Sequence, residues 1–243
     1  LPSANHIDLE RNQLLSILSE SDRRHLLPHL HAFDLAEGAV LCDAGQLVVN
    51  TWFPCGAALA SFCVDADAGE PVEVALIGRE GAIGGIVSNG SVPAYATAQV
   101  RGPGRFLRIK TAALEQAKID SIHLRHWFSR YSDCLLAQVF QTAACNARHT
   151  IMQRACKWML AATERTESNE IAMTQESLAA LLGVGRTFVN RTISKLRQAG
   201  IVETRRGALT IHDLPAVRRN ACGCSAAIEN HFDTVLHGIY VSD

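Results

Sequence analysis

The chain has 243 residues, of which 48% are hydrophobic and 19% charged, with a formal net charge of −1. That is enough apolar material for one large core or two ordinary ones, so a globular protein is expected. No apolar run approaches the roughly 20 residues that a membrane-spanning helix needs, and LPSANHIDLERNQ lacks the basic-then-apolar order of a secretory signal. A soluble, cytoplasmic protein is the expectation.

The small net charge conceals a division along the chain. Residues 1–146 carry −4, residues 147–219 carry +6 and residues 220–243 carry −3. A basic segment behind an acidic front half points to an anionic partner for that segment, because clustered Lys and Arg attract phosphate whatever the sequence. Eight cysteines, at 42, 55, 63, 134, 145, 156, 222 and 224, form no Cys-x-x-Cys pair. Reduced, mostly buried thiols fit that scatter better than a disulfide framework.

Taken in chain order, NQLLSILSESDRRHLLPHL has a helical apolar pattern, with Ser21-Asp22 placed as a cap before Leu26 and Leu27. From about 31 to 110 short runs of Val, Ala, Leu, Phe and Ile are each closed by Gly, Pro, Asp or Asn. Many short strands at that spacing predict a small β-roll or barrel. After Lys110 the punctuation stops, and no Pro or Gly occurs between Thr111 and Thr166. Leu124, Phe128, Tyr131, Leu135 and Val139 form a helical stripe, which Trp127, Leu136 and Phe140 widen. A stripe of that width serves a helix that packs on its own barrel and against a copy of itself. A second helical run, RHTIMQRACKWMLAATERT, follows.

The most informative stretch is MTQESLAALLGVGRTFVNRTISKLRQAGIV, residues 173–202. Thr174 is placed to cap a helix that begins at Gln175, and the acidic third position of a capping box is missing. Gly183 ends this helix, because glycine takes the left-handed geometry that reverses a chain within a few residues. In the next helix Val189, Ile193 and Leu196 share one face. Thr187, Arg191, Ser194 and Gln198 cluster opposite, flanked by Asn190 and Lys195. The polar face has hydrogen-bond donors and no acid, which suits the major groove. QAGIVETRRGALTIHD then reads as two strands around Arg205-Arg206-Gly207, a β-wing whose arginines are set to meet a phosphate backbone.

Together, the β-roll, the connecting helix and MTQESLAALLGVGRTFVNRTISKLRQAGIVETRRGALTIHD resemble the Crp/Fnr family of bacterial transcription regulators over roughly residues 10–215. The resemblance implies an α+β chain with an N-terminal jelly-roll (double-stranded β-helix) of the cyclic-nucleotide-binding kind, a long dimerisation helix and a C-terminal winged helix-turn-helix. The corresponding segments are 1–118, 119–146 and 147–219, with 220–243 as an amphipathic helical tail.

That family's recognition helix opens with Ser-Arg-Glu-Thr-Val-x-Arg; here the residues are Gly185-Arg186-Thr187-Phe188-Val189-Asn190-Arg191. By resemblance Arg186 and Arg191 match the base-contacting arginines, while Thr187 replaces an acidic base reader. Gly185 replaces a phosphate-contacting Ser, and Gln175 matches a phosphate contact. The expected DNA-contacting set is therefore Gln175, Arg186, Thr187, Asn190, Arg191, Ser194, Lys195, Arg205 and Arg206. Double-stranded DNA, a second copy of the chain and RNA polymerase are the partners implied, and no membrane.

Family members that bind cyclic nucleotides carry Gly-Glu followed by Arg-Ser in the β-roll, the Glu for ribose and the Arg for phosphate. The matching stretch here, IGREGAIGGIVSNGSVPAYATAQV, has Gly84-Gly85 in place of Gly-Glu, and no Arg lies between Arg79 and Arg101. Burying a phosphate without its cation is costly, so cyclic AMP is not the expected ligand and the effector stays unassigned.

No cofactor is expected. Cys42, Cys55 and Cys63 do not reproduce an iron–sulfur spacing, and the histidines suggest no haem ligand. Cys222 and Cys224 suggest a redox pair or half a metal site, but two thiols supply too few ligands, so no metal is expected either. The tail around Ile228, Phe232, Val235 and Leu236 is expected to pack on the DNA-binding domain. Two other classes fit the chain less well. An enzyme lacks a phosphate loop, a metal-ligand spacing or a nucleophile elbow to carry it, and a signalling module that docks a protein leaves the +6 segment unexplained.

Overall fold

The computed structural model describes residues 3–65, 71–86 and 92–238. Three short helices open the chain: α1 (His6–Leu9), α2 (Gln13–Ser16) and α3 (Glu20–Leu26). The cap of α3 is Ser19, whose hydroxyl accepts from the Asp22 N–H at 3.2 Å, and not the Ser21-Asp22 pair expected from sequence. Ser19 is the one with extended backbone and so sits outside the helix, where a capping oxygen must be.

Seven strands follow: β1 (His31–Leu35), β2 (Val40–Cys42), β3 (Asn50–Pro54), β4 (Leu59–Val64), β5 (Val72–Ile77), β6 (Thr97–Gly102) and β7 (Gly104–Lys110). They make two antiparallel sheets, β1-β7-β3 and β2-β6-β4-β5. Inward residues of both, including Trp52, Ala60, Ile77, Val100 and Phe106, form one core, the sheet-on-sheet arrangement of a β-roll.

Helix α4 (Thr111–Asp120) leads into the 27-residue α5 (Ile122–Arg148). Residues 119–120 close α4, and Ser121 caps α5 by accepting from the Leu124 N–H at 3.2 Å. Leu124, Phe128 and Tyr131 of the expected stripe are fully buried, and Leu135 and Val139 are partly buried against the roll. Tyr131 fastens the helix to the roll: its hydroxyl donates to the Ala82 carbonyl and accepts from the Ala82 N–H. Trp127 belongs with the buried set, its indole N–H donating to the Leu14 carbonyl at 3.0 Å, while Leu136 and Phe140 are 50% and 64% exposed.

The remaining elements are α6 (Ile151–Thr166), β8 (Glu170–Ala172), α7 (Gln175–Leu182), α8 (Arg186–Gln198), β9 (Val202–Arg205), β10 (Ala208–Ile211), α9 (Leu214–Asn220) and α10 (Cys224–Leu236). A second core, with Trp158, Met159, Leu178, Val189, Ile193, Leu196, Leu209 and Val217, unites α6 to α9 and the β8-β10-β9 sheet. It reaches the roll through Leu59 and Leu76. Polar ties cross the same boundary. Trp158 donates to Glu73 and Arg165 pairs with Glu80 at 2.8 Å, while Gln138 ties α5 to the roll by donating to the Leu76 carbonyl. Burial lifts the Glu73 carboxyl above the usual carboxylate range, with nearby Arg101 opposing the shift.

Helix α10 corrects one expectation. It lies chiefly along α5 and meets the DNA-binding domain at α6. Phe232 meets the Tyr131 ring edge-on at 6.3 Å, and Arg130 donates to the Val235 carbonyl. Phe232 and Leu236 join the apolar cluster of the front domain, because that is where the open apolar surface of α5 lies.

Candidate nucleic-acid interface

The hairpin α7–α8 is built by its local sequence. Thr174 caps α7, accepting from the Ser177 N–H at 3.0 Å. Gly183 closes it in the left-handed region at φ 60°, and the Val184 N–H reaches back to the Ala179 carbonyl, which is the Schellman stop. A Cβ at Gly183 would also lie 3.2 Å from Val72 on β5, so glycine lets the turn seat against the roll. Arg154 of α6 donates to the Leu182 carbonyl and holds the turn from the other side.

Val189 and Ile193 have no exposed surface and Leu196 has 2%, so α8 is anchored along one face. Arg186, Thr187, Arg191, Ser194 and Lys195 are exposed, and Gln175 at the start of α7 is half-exposed. Among the described residues Arg186, Arg191, Lys195 and Arg206 make no ion pair, so their charge is available to an incoming anion. Asn190 sits lower, half-buried with its Oδ1 closed off from solvent and unpartnered, at the rim of the polar face.

The wing is β9 and β10, paired antiparallel from Val202↔Ile211 to Arg205↔Ala208, with Arg206 and Gly207 in the turn. The strand β8 extends it to three strands. Arg205 pairs with Glu203 at 3.4 Å. Hydrogen bonds from His212 and then from Arg205 hold the Glu203 carboxyl below its usual range. An exposed pair of this kind is worth about 0–1 kcal/mol, so phosphate can compete for the arginine.

One residue escaped the sequence reading. Phe188 is 53% exposed on α8, beside Lys195 on the helical wheel. The signal was present, since an aromatic 100° away from the anchored face has no intrachain partner to cover it.

A family model, that of the Crp-like helix-turn-helix domain, matches residues 153–219. This is a DNA-binding transcription regulator with a Crp-like helix-turn-helix. Its whole-chain fold is that of solved Crp/Fnr-type structures. FixK2 from Bradyrhizobium japonicum is 15% identical with a TM-score of 0.66, covering 79% of this chain and 98% of that one. A Crp/Fnr-family regulator from Eubacterium rectale is 14% identical with a TM-score of 0.68, covering 86% and 98%. The c-di-GMP-responsive regulator CLP from Xanthomonas campestris is 14% identical with a TM-score of 0.64, covering 79% and 99%. Among curated proteins none matches the chain. DNA binding and transcription regulation are the functions that the Crp-like domain brings to this regulator. None of its described helices is long and apolar enough to cross a membrane.

In the regulator's front domain, Gly84 and Gly85 have φ of 80° and 62°. A Cβ would fall 2.7 Å from the Asn50 carbonyl at Gly84 and 2.5 Å from Thr51 Oγ1 at Gly85, so both glycines are required by the fit against β3. Both line a cavity of about 600 Å³ between the roll and α5, with Phe62, Val74, Leu135 and Val139 among its walls. None of its described lining residues is charged. Residues 87–91 of the stretch that matches the nucleotide cassette lie outside the described residues.

The regulator's tail cysteines are not left with two ligands, as the sequence suggested. The ligand atoms of Cys145, His149, Cys222 and Cys224 all lie within 4.8 Å of one another. The fold brings the last turns of α5 against the α9–α10 junction, 77 residues further on. Burial raises the Cys145 thiol above its ordinary range.

Proposed function

We propose that two copies of this regulator bind an inverted-repeat operator, each α8 entering a major groove. The observation that carries this is the exposed, acid-free polar face of α8, with Arg186 and Arg191 unpaired among the described residues. Arg186 and Arg191 take guanine edges, and Thr187, Asn190, Ser194 and Lys195 complete the contact to bases and neighbouring phosphates. Gln175, Arg205 and Arg206 hold the backbone, which sets register and carries no sequence information. Exposed Phe188 offers apolar contact to a thymine methyl.

Dimerisation is assigned to α5. Leu136, Phe140, Ala143 and Ala147 are all exposed and recur at steps of 4, 3 and 4, which is the seam of a two-helix coiled coil. The test is selection of bound duplexes from random DNA with the full chain. A palindrome with half-sites about 10–10.5 base pairs apart is expected, with affinity that falls steeply as salt rises. An unenriched pool, or retention indifferent to salt, would overturn the reading.

The regulation proposed is independent of cyclic AMP. An apolar cavity with no charged wall residue among the described residues leaves a buried phosphate unpaired, a cost of several kcal/mol. Calorimetric titration of cyclic AMP into the protein is expected to give no binding heat at micromolar nucleotide. A saturable isotherm in that range would remove this part of the proposal and leave the operator reading intact.

A further inference from the structure

The four-residue cluster at the end of α5 has the shape of a coordination sphere. Cys145 Sγ lies 3.6 Å from Cys222 Sγ, and Cys224 Sγ lies 3.5 Å from His149 Nδ1. A tetrahedral ion with bonds of about 2.3 Å to sulfur and about 2.0–2.1 Å to nitrogen sets its ligands about 3.8 Å apart for S···S and about 3.6 Å apart for S···N. The two separations match the edges of that tetrahedron, and the 4.8 Å limit on all pairs leaves room for one ion only. A polynuclear iron–sulfur cluster distributes its thiolates over several irons and spreads them wider.

We infer that Cys145, His149, Cys222 and Cys224 bind a single thiophilic divalent ion of the zinc class, which fastens the α9–α10 junction to the end of α5. Three sulfurs and one imidazole in a closed tetrahedron form a structural zinc set rather than a catalytic one, since no position is left for water. The local fold supports each ligand. Cys145 and His149 are one helical turn apart, and the His149 N–H bonds to the Cys145 carbonyl. Gly223 separates the other two thiols and begins α10. Gln141 Nε2 donates to Cys224 Sγ at 3.1 Å, the outer hydrogen bond that thiolate ligands receive. Three thiolates and a neutral imidazole around a divalent ion leave one negative charge, and Arg154 and Lys157 are its electrostatic neighbours. Cys222 and His149 are half-exposed, which gives the ion its way in.

The position matters for the regulator. His149 and Thr150 are the whole link between α5 and α6, so an ion here ties that link to the exit of the DNA-binding domain. Removing it frees the tail from one end.

The test uses the full chain, purified without chelator, and reads the metal directly, so it succeeds or fails independently of operator binding. About one equivalent of zinc per chain is expected by elemental analysis, and cobalt(II) exchange should give the intense visible bands and sulfur-to-metal charge transfer of a tetrahedral thiolate site. Cys222→Ser should weaken zinc binding at least about tenfold with an unchanged far-ultraviolet spectrum. His149→Cys should retain the ion and shift the cobalt bands, whereas His149→Ala should weaken it as Cys222→Ser does. The inference is overturned by substoichiometric zinc after growth in zinc-replete medium, by a pale octahedral cobalt spectrum, or by mass spectrometry showing a Cys145–Cys222 disulfide as the resident state.

Discussion

Ile193→Ala is expected to destabilise the DNA-binding domain by about 2–5 kcal/mol, the range for deleting a fully buried aliphatic side chain and leaving a cavity. Ile193 is wholly enclosed between Val189 and Leu196 of α8 and the residues of α6, α7 and the wing. Urea denaturation should show a lower midpoint at unchanged slope, the sign of lost stability rather than of an altered unfolded state. Gln198→Ala on the exposed side of the same helix serves as the control and should stay within about 0.5 kcal/mol. An Ile193→Ala loss no larger than the control's would mean that α8 is not anchored by this face, and the proposed interface would go with it.

Arg191→Ala is expected to lower affinity for the preferred operator by about 1–3 kcal/mol, or about 5- to 150-fold, and to relax one base position in each half-site. Thermal stability should not change, because Arg191 makes no ion pair or hydrogen bond among the described residues. Arg206→Ala makes the contrast. The wing arginine is assigned to phosphate, so all sequences should weaken alike and the salt slope should fall by about 1. Binding assays on the preferred site and its single-base variants, at several salt concentrations, separate the two outcomes. Unchanged base preference in Arg191→Ala would sink the placement of the recognition helix.

Much of the DNA-binding half could be read from the chain because the determinants there are local. The stop at Leu182, the restart at Arg186 and the anchored trio on α8 follow from a capping Thr, a left-handed Gly and a 3.6-residue period within 30 residues. The cap of α3 was misplaced by two residues because Ser19, Ser21 and Asp22 are all competent caps, and only the backbone path chooses among them. Trp127 was set beside Leu136 and Phe140 because helical phase alone does not say which neighbour covers a side chain. The N-terminal segment at Leu14 covers it.

The tail shows the same boundary more sharply. Its amphipathic period gave a helix, but its docking on α5 depended on a surface that no local pattern records. Cys145 and His149, one turn apart, and Cys222-Gly-Cys224 are each ambiguous alone, and the cluster exists only where the fold joins them. The sequence by itself determined the order of elements, the basic segment and the acid-free face of α8, since period, caps and charge are written in neighbouring residues. Only the tertiary structure decided what α10 covers, which part of α5 stays open, and that four ligand atoms converge, because contacts between distant residues depend on how whole elements pack.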